Sequence, residues 1–300
     1  GAFHSRERTM SAKEIVAAGQ GILSIVDTCE LLGISRSSYY DQRSKKPSVR
    51  ALKDAALVAE IRAVFAKTKK RYGSPRIMRA LRKRGVRVGK KRVARLMRQN
   101  GLVARPKKRF RVTTNSEHNH PIAPNLLKRD FTADAPNKVW VGDITYVWTH
   151  EGWMYLATII DVFSRRVVGW AMRSYLSRQL AMEALSRAIE LRRPKPGLIH
   201  HTDRGCQYAS KDYRKLLKSV GIQQSMSRSG NCLDNAMAES FFSTLEHELL
   251  MQNNFQSRSG ALWAVAEYIE NFYNRERLHS GLDYESPVEY EESQLTANAA

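Results

Sequence analysis

The sequence predicts an α/β domain, a mixed five-stranded sheet with flanking helices, preceded by small all-α helix-turn-helix units. Three observations predict it. Apolar residues recur at helical spacing in the first part of the chain, and a period-two strand opens the second part after residue 137. Charge divides the same way: residues 1–130 hold 32 Lys and Arg against 9 Asp and Glu, while residues 131–300 hold 18 against 20. Pro106, Pro121, Pro124 and Pro136 break any element between the two parts. The length of 300 residues fits about two domains at ~150 residues each, and 42% hydrophobic residues can build a core. No apolar run reaches the ~18 residues of a membrane span; the most apolar stretch, 153–163, already contains Asp161. Three cysteines without Cys-x-x-Cys spacing argue against a disulfide framework or a zinc site, and a reducing, cytoplasmic setting is expected.

In the basic part, Ser24 is placed to cap a helix over 25–32, with Asp27 three residues on. Gly33 ends that helix, Ile34 fills the turn, and Ser35 caps a second helix carrying Arg36 and Tyr40. A second pair is expected further on. Ser74-Pro75 reads as an N-cap followed by proline, Ile77, Met78 and Leu81 as an apolar stripe, and Gly85 as the stop. The next helix turns Val93, Leu96 and Met97 inward and Lys90, Lys91, Arg92, Arg95 and Arg98 outward, and Gly101 closes it. Between Glu60 and Glu117 the chain has 21 Lys and Arg and no acidic residue. A folded patch of that charge calls for a polyanion, and nucleic acid is the expected partner.

The second part opens with a period-two strand, Val139 to Trp148, and two more strands over 154–163 and 166–172 complete a meander. A helix over 176–193, a strand over 198–202, a helix over 210–220 and a strand over 222–225 follow. Two helices, 233–250 and 259–273, come after them. This element order is that of a ribonuclease-H-like domain.

Three acids sit where acids are costly. Asp143 interrupts the first strand on the face of Val139 and Val141, Asp203 ends the strand over 198–202, and Glu239 faces the sheet from a helix. A buried unpaired carboxylate costs several kcal/mol, so the set needs compensation. Arginine could supply it, Arg204 being nearest in sequence. Divalent cations are the sharper reading, because three carboxylates from different elements can hold two Mg²⁺ about 3.5–4 Å apart for phosphodiester chemistry.

The stretches Trp140-Val141-Gly142-Asp143-Ile144-Thr145-Tyr146, His201-Thr202-Asp203-Arg204-Gly205 and the run from Asn231 through Asn235 and Glu239 to Phe242 resemble the integrase catalytic core of bacterial insertion-sequence DDE transposases of the IS-three group. Thirty-five residues separate Asp203 from Glu239, the spacing of that group and of retroviral integrases. The segment Tyr273 to Ser280 resembles the family's closing motif, and Arg71-Tyr72-Gly73-Ser74-Pro75-Arg76 its upstream DNA-binding segment.

The resemblance implies a transposase that cleaves element ends and joins them to new sites, with Asp143, Asp203 and Glu239 holding two Mg²⁺ and Mn²⁺ able to substitute. It implies contacts to DNA, both terminal inverted repeats and target, from Arg71 and Arg76 as well as the outward cations and Asn235. A homodimer or higher assembly on DNA, a possible partner from an upstream reading frame, and a cytoplasmic, nucleoid-associated location in a bacterium go with it. The rival readings are a ribonuclease-H-like nuclease or resolvase, and a DNA-binding regulator without catalysis. The expected partition is a first helix-turn-helix over 1–48, a second over 49–112, a linker over 113–136, the catalytic core over 137–256, and a C-terminal helix and tail over 257–300.

Departures from the pattern are few. Thr202 and Cys206 stand where serine is commoner, and Glu246 stands where a lysine or arginine is frequent. Glu246 is expected to share a face with Glu239 and to weaken the grip on the terminal strand. His118 and His120 have no cysteine neighbours, so the retroviral zinc domain is not expected. His201 fits either a supporting role beside Asp203 or strand-end packing.

Overall fold

The computed structural model describes residues 24–43, 47–104, 121–228 and 232–297. His118, His120 and the first part of the expected linker lie outside them. The chain divides into two compact units, residues 1–63 and 64–300. Among the described residues no helix is long and apolar enough to cross a membrane, and Cys29 and Cys206 are free thiols.

In the first unit, α1 (Ile25–Leu32) and α2 (Arg36–Arg43) form the expected helical pair. The Ser24 hydroxyl accepts from the Asp27 N–H at 3.1 Å. Gly33, at φ 61°, takes the left-handed turn that a side chain would resist. The Ser35 hydroxyl caps α2 by accepting from the Ser38 N–H at 3.2 Å. Buried Cys29 and Tyr39, with Ile25 and Ile34 against them, make a small core. Helix α3 (Val49–Lys67) is an addition to the sequence reading. It buries Leu57, Ile61, Val64 and Phe65 at helical spacing, and the boundary between the units runs through it.

The second unit begins with α4 (Ser74–Lys83) and α5 (Lys90–Gln99), whose buried residues are the expected stripes, Ile77, Met78 and Leu81 on one and Val93, Leu96 and Met97 on the other. The cap is displaced by one residue. Gly73 occupies the N-cap, so Ser74 and Pro75 are the first two helical residues; neither needs to donate there, which is why proline is tolerated.

A five-stranded sheet follows, in the order β3-β2-β1-β4-β5. Strands β1 (Val139–Thr149), β2 (Gly152–Asp161) and β3 (Val167–Arg173) are the antiparallel meander, and β4 (Ile199–Thr202) and β5 (Gln223–Met226) run parallel to β1. One face packs on α6 (Arg178–Arg192) and α8 (Lys211–Ser219), with Trp140, Ile159, Leu180, Ala184, Tyr213 and Leu217 in the shared core. Helix α6 lies so close to β3 that a Cβ on Gly169 would stand 2.3 Å from the Ala184 carbonyl oxygen. A short turn of helix, α7 (Cys206–Ala209), precedes α8. The opposite face receives α9 (Ala236–Glu248) through Phe241, Phe242 and Leu245. Helix α10 (Arg258–Glu267) widens into π-helix over Tyr268–Tyr273, and α11 (Pro287–Ala297), a further addition to the sequence reading, is the last element among the described residues.

The segment before α4 is docked onto the C-terminal elements. The Tyr72 hydroxyl donates to the Glu276 carbonyl at 3.1 Å and accepts from the Leu278 N–H at 2.9 Å. Arg76 Nε donates to the Leu278 carbonyl at 2.9 Å. Arg71 Nε donates to the Glu248 carbonyl at 3.0 Å, with its guanidinium 4.3 Å from the Phe272 ring centroid. The two motifs that resemble family signatures, Arg71–Arg76 and Tyr273–Ser280, therefore bind each other.

At their junction the buried Glu248 carboxylate accepts from Arg277 Nε at 2.9 Å and Nη2 at 2.8 Å, and from the Tyr268 hydroxyl at 3.0 Å. Burial raises the carboxyl, but Arg277 and the other donors outweigh it and hold Glu248 below its ordinary range. Removing one partner of such a pair strands the other's charge. Arg277→Ala should cost about 3–5 kcal/mol of stability, measured by urea unfolding, and Arg277→Lys less. An alanine variant as stable as the parent would show that the pair does not hold the junction.

Candidate active site

Strand pairing assembles the site. Parallel β1 and β4 are in register from Val139↔Ile199 to Gly142↔Thr202, so Asp143 and Asp203 are the next residue along two adjacent strands. Val141, Asp143, His201 and Asp203 share the α9 face of the sheet, since side chains alternate along strands. Gly142 on the other face has no room for a Cβ, which would meet His200 Cε1 at 2.8 Å.

Asp143 is half-buried, and one of its oxygens accepts from the Ile144 N–H at 2.8 Å. Burial, then the charge of Asp203 and, more weakly, that of Glu239, push its carboxyl well above the usual range. Asp203 accepts from the Gly205 N–H at 2.9 Å, which folds it back over the start of α7. Glu239, in the first turn of α9, is half-buried, and burial raises its carboxyl too. Among the described residues no set of three His, Cys, Asp or Glu already forms a closed cation-holding cluster. Asp143 and Asp203 are brought side by side, and Glu239 acts on Asp143 from the helix.

The more deeply buried acids are of a different kind. Asp161 has Arg192 at 3.8 Å, Asp234 has Arg228 at 2.9 Å and Arg129 at 3.1 Å, and Glu291 has Arg166 at 3.6 Å. Among the described residues no cation pairs with Asp143 or Glu239. Those three acids are neutralised by arginine. These two are not.

Several supporting groups escape sequence reading. Asp234 anchors the turn leading into α9: it accepts from the Arg228 side chain, Arg129 Nε and Asn125 Nδ2, and the Arg228 hydrogen bonds hold its carboxyl far below the usual range. The fully buried Thr158 lies directly opposite Asp143 on β2, and its hydroxyl has no protein partner. The Tyr208 hydroxyl is likewise buried and unpartnered, and after burial the charges of Asp143 and Asp203 raise its pKa further. The only sequence signal for Thr158 was its register with Asp143, which needs the strand pairing to read. His201 proves to be a packing group: its ring nitrogens lie 2.7 and 3.1 Å from the Ser225 and Ser227 hydroxyls, and burial lowers its pKa.

The expected DNA contacts divide into two groups. Lys90, Lys91 and Arg98 are exposed on α5, and Arg36 and Tyr40 are exposed on α2. Arg92 and Arg95 are half-buried, with Arg95 Nη1 donating to Gln99 at 2.9 Å. Arg71 and Arg76 both spend their Nε inward on the C-terminal elements. Asn235 corrects the expectation of a solvent-facing contact. It is buried, with Nδ2 3.4 Å from the Gly142 carbonyl and Oδ1 without a donor, so it ties the entry of α9 to β1 instead of facing solvent. Glu246 is half-buried on the Glu239 face of α9, and its Oε2 is shut off from solvent without a partner.

Comparison with known proteins bears on this geometry. Residues 133–232 and 239–295 match two integrase core domain families, and residues 51–110 match an HTH-like domain family. The chain is 41% identical over 278 residues to the transposase InsF for insertion sequence IS3A of Escherichia coli (strain K12), covering 92% of this chain and 96% of that protein. The chain belongs to the IS3 family of transposases. It is also 46% identical over 264 residues to an uncharacterized 31 kDa protein of insertion element IS600 from Shigella sonnei, covering 88% of this chain and 97% of that one. A more distant likeness is the HTLV-2 integrase catalytic core domain in complex with magnesium, 18% identical over 53% of this chain and 99% of that one, with a TM-score of 0.41. The integrase core, the ribonuclease-H-like fold and the helix-turn-helix-like segment are thus all in place.

The raised Asp143 carboxyl has a stability consequence. The folded chain holds a proton there that the unfolded chain releases above about pH 3.9. With divalent cations chelated, stability is therefore lost as pH rises from that value through the raised one. Asp143→Asn should then be more stable than the parent at pH 7 and lose this advantage near pH 3.5, by urea unfolding at both. Equal stability at pH 7 would show that burial and the neighbouring charges do not disfavour the carboxylate.

Proposed function

We propose that the chain cleaves the ends of an insertion sequence and transfers the freed strands to new DNA, with Asp143, Asp203 and Glu239 as the catalytic carboxylates. The observation that carries this reading is the repulsive set itself. Asp143 sits beside Asp203, within electrostatic reach of Glu239, and no cation of the described chain compensates it.

The residues fit divalent metal. Carboxylate oxygens are hard ligands suited to Mg²⁺ and Mn²⁺, and the donorless Asn235 Oδ1 nearby is another hard oxygen. Asp143, Asp203 and Glu239 would hold the ions. When bound, a pair of such ions assists both the attacking and the leaving oxygen of a phosphodiester displacement.

The chain's own part is positional. β1 and β4 fix two carboxylates on a rigid sheet, and the Asp234 clamp fixes the helix that brings the third. In cleavage, water attacks phosphorus, a P–O bond to the 3′ oxygen breaks and that oxygen leaves as a hydroxyl. In joining, that 3′ hydroxyl attacks a second phosphodiester, one P–O bond forms as another breaks, and the count of phosphodiesters is kept. No protein nucleophile is required in either step. Lys90, Lys91 and Arg98, with Arg36 and Tyr40 in the first unit, are the proposed surface contacts to DNA, and assembly of at least two copies on the paired ends goes with the reaction.

Asp143→Ala, Asp203→Ala and Glu239→Ala should each abolish Mg²⁺-dependent cleavage and joining of labelled element-end DNA while binding persists. Near-parental turnover in any one would remove that residue from the set. Cleavage without joined product would favour the nuclease reading. Binding should also be dominated by phosphate contacts. Lys90, Lys91 and Arg98 changed together to alanine should flatten the slope of log K against log salt by up to ~3; an unchanged slope would exclude α5 from the interface.

A further inference from the structure

Behind α9, away from Glu239, a cavity of about 200 Å³ opens between α9, the β2–β3 turn and the C-terminal segment. Arg76, Arg165 and Arg277 line it, together with His247, His279 and Ser240, and Glu248 is its only carboxylate. Glu248 is already committed to Arg277 as a bidentate pair, with Arg76 Nη1 3.7 Å away. Three guanidiniums against one carboxylate leave the cavity with a net charge of two positives.

Arg165 is the distinctive member. Among the described residues no carboxylate pairs with it. Its backbone is held at φ 59°, a left-handed conformation that costs a non-glycine residue roughly 1 kcal/mol or more. That conformation lays the guanidinium over Gly281, where a Cβ would stand 2.9 Å from Arg165 Nη2. The neighbouring histidines register the same field. His279 is pushed down to about 2 by burial and then by Arg277, Arg76 and Arg165, so the ring is neutral. His247 is buried, and its Nδ1 has no partner among protein atoms. An excess of positive charge, an unpaired arginine held in a strained conformation and an orphaned polar atom meet in one cavity. An anion would satisfy all three.

We propose that this cavity binds a backbone phosphate of the DNA, with Arg165 as its principal ligand. The proposal rests on the reading of the chain as a DNA-transferring enzyme and adds a place where the substrate is gripped. At 100° per residue, the cavity-lining positions Ser240 and Thr244 lie roughly a third of a turn around α9 from Glu239. A helix is ~10 Å across, so the phosphate held here is not the scissile one but belongs to a stretch of strand that wraps the helix. Its grip would fix α9, and hence Glu239, relative to the DNA.

The test uses the full chain and a labelled element-end duplex, titrated at several salt concentrations, with inorganic phosphate as the small probe in thermal unfolding. Arg165→Ala should weaken duplex binding roughly tenfold at low salt and reduce the salt slope by about 1. It should also lose the stabilisation that inorganic phosphate gives the parent. Ser240→Asp, an exposed change at the cavity, should reproduce the loss of affinity, which keeps the test decisive if Arg165→Ala does not fold. Parental affinity and slope in both variants would overturn the site while leaving the enzymatic reading intact. Failure of the parent chain itself to bind DNA would overturn both.

Discussion

The parallel pairing of β1 with β4 is the constraint on which the site depends. The meander runs outward from β1 on one side and the crossover through α6 starts the other side, so the chain reverses its direction of growth between these two strands. Crevices at such switch points are where open α/β sheets bind ligands. Here the register sets Asp143 and Asp203 next to each other as the pairing ends. A slip of one residue in either strand would turn one carboxylate to the α6 face. The packing against that slip is tight, with Gly142 under His200 and Gly169 under α6. Rigidity on one face of the sheet thus enforces like-charge proximity on the other, which adds to burial in raising the Asp143 carboxyl.

A second constraint works from the far end of α9. Glu248 closes the helix that carries Glu239, and its carboxylate and carbonyl are bound by Arg277 and Arg71. Asp234 and Asn235 fix the other end, against Arg228 and the Gly142 carbonyl. The helix is therefore pinned at both ends by polar contacts and in its middle by Phe241, Phe242 and Leu245. Since the segment before α4 is part of the far pin, anything that pulls on α4 and α5 acts on the frame holding Glu239.

Much of this was legible in the sequence, for reasons that can be named. The meander shows because β1 has a period of two, the cap at Ser24 because its hydroxyl can accept from a free helix N–H, and the stops at Gly33, Gly85 and Gly101 because few residues tolerate a positive φ. The acidic triplet shows because acids stand among apolar residues and match a spaced motif. The docking of Arg71–Arg76 onto Tyr273–Ser280 did not show. It is made of side chain to backbone hydrogen bonds across some two hundred residues, such as Arg76 to Leu278, and such contacts leave no periodic trace. The motif resemblance likewise marks Arg71 and Arg76 as DNA contacts without showing that their Nε groups are spent on the C-terminal elements. Helix α3 was missed because its alanines and charges blur the stripe of Leu57, Ile61 and Phe65, and α11 because its buried positions are few.

The central claim is that Asp143, Asp203 and Glu239 form one cation-holding set, and binding of Mn²⁺ to the full chain tests it most directly. Calorimetry should show saturable binding that weakens as the pH is lowered, since the carboxyls must be deprotonated to hold the cation. Asp143→Asn and Asp203→Asn should each lose that binding. Undiminished Mn²⁺ binding in either variant would contradict the claim.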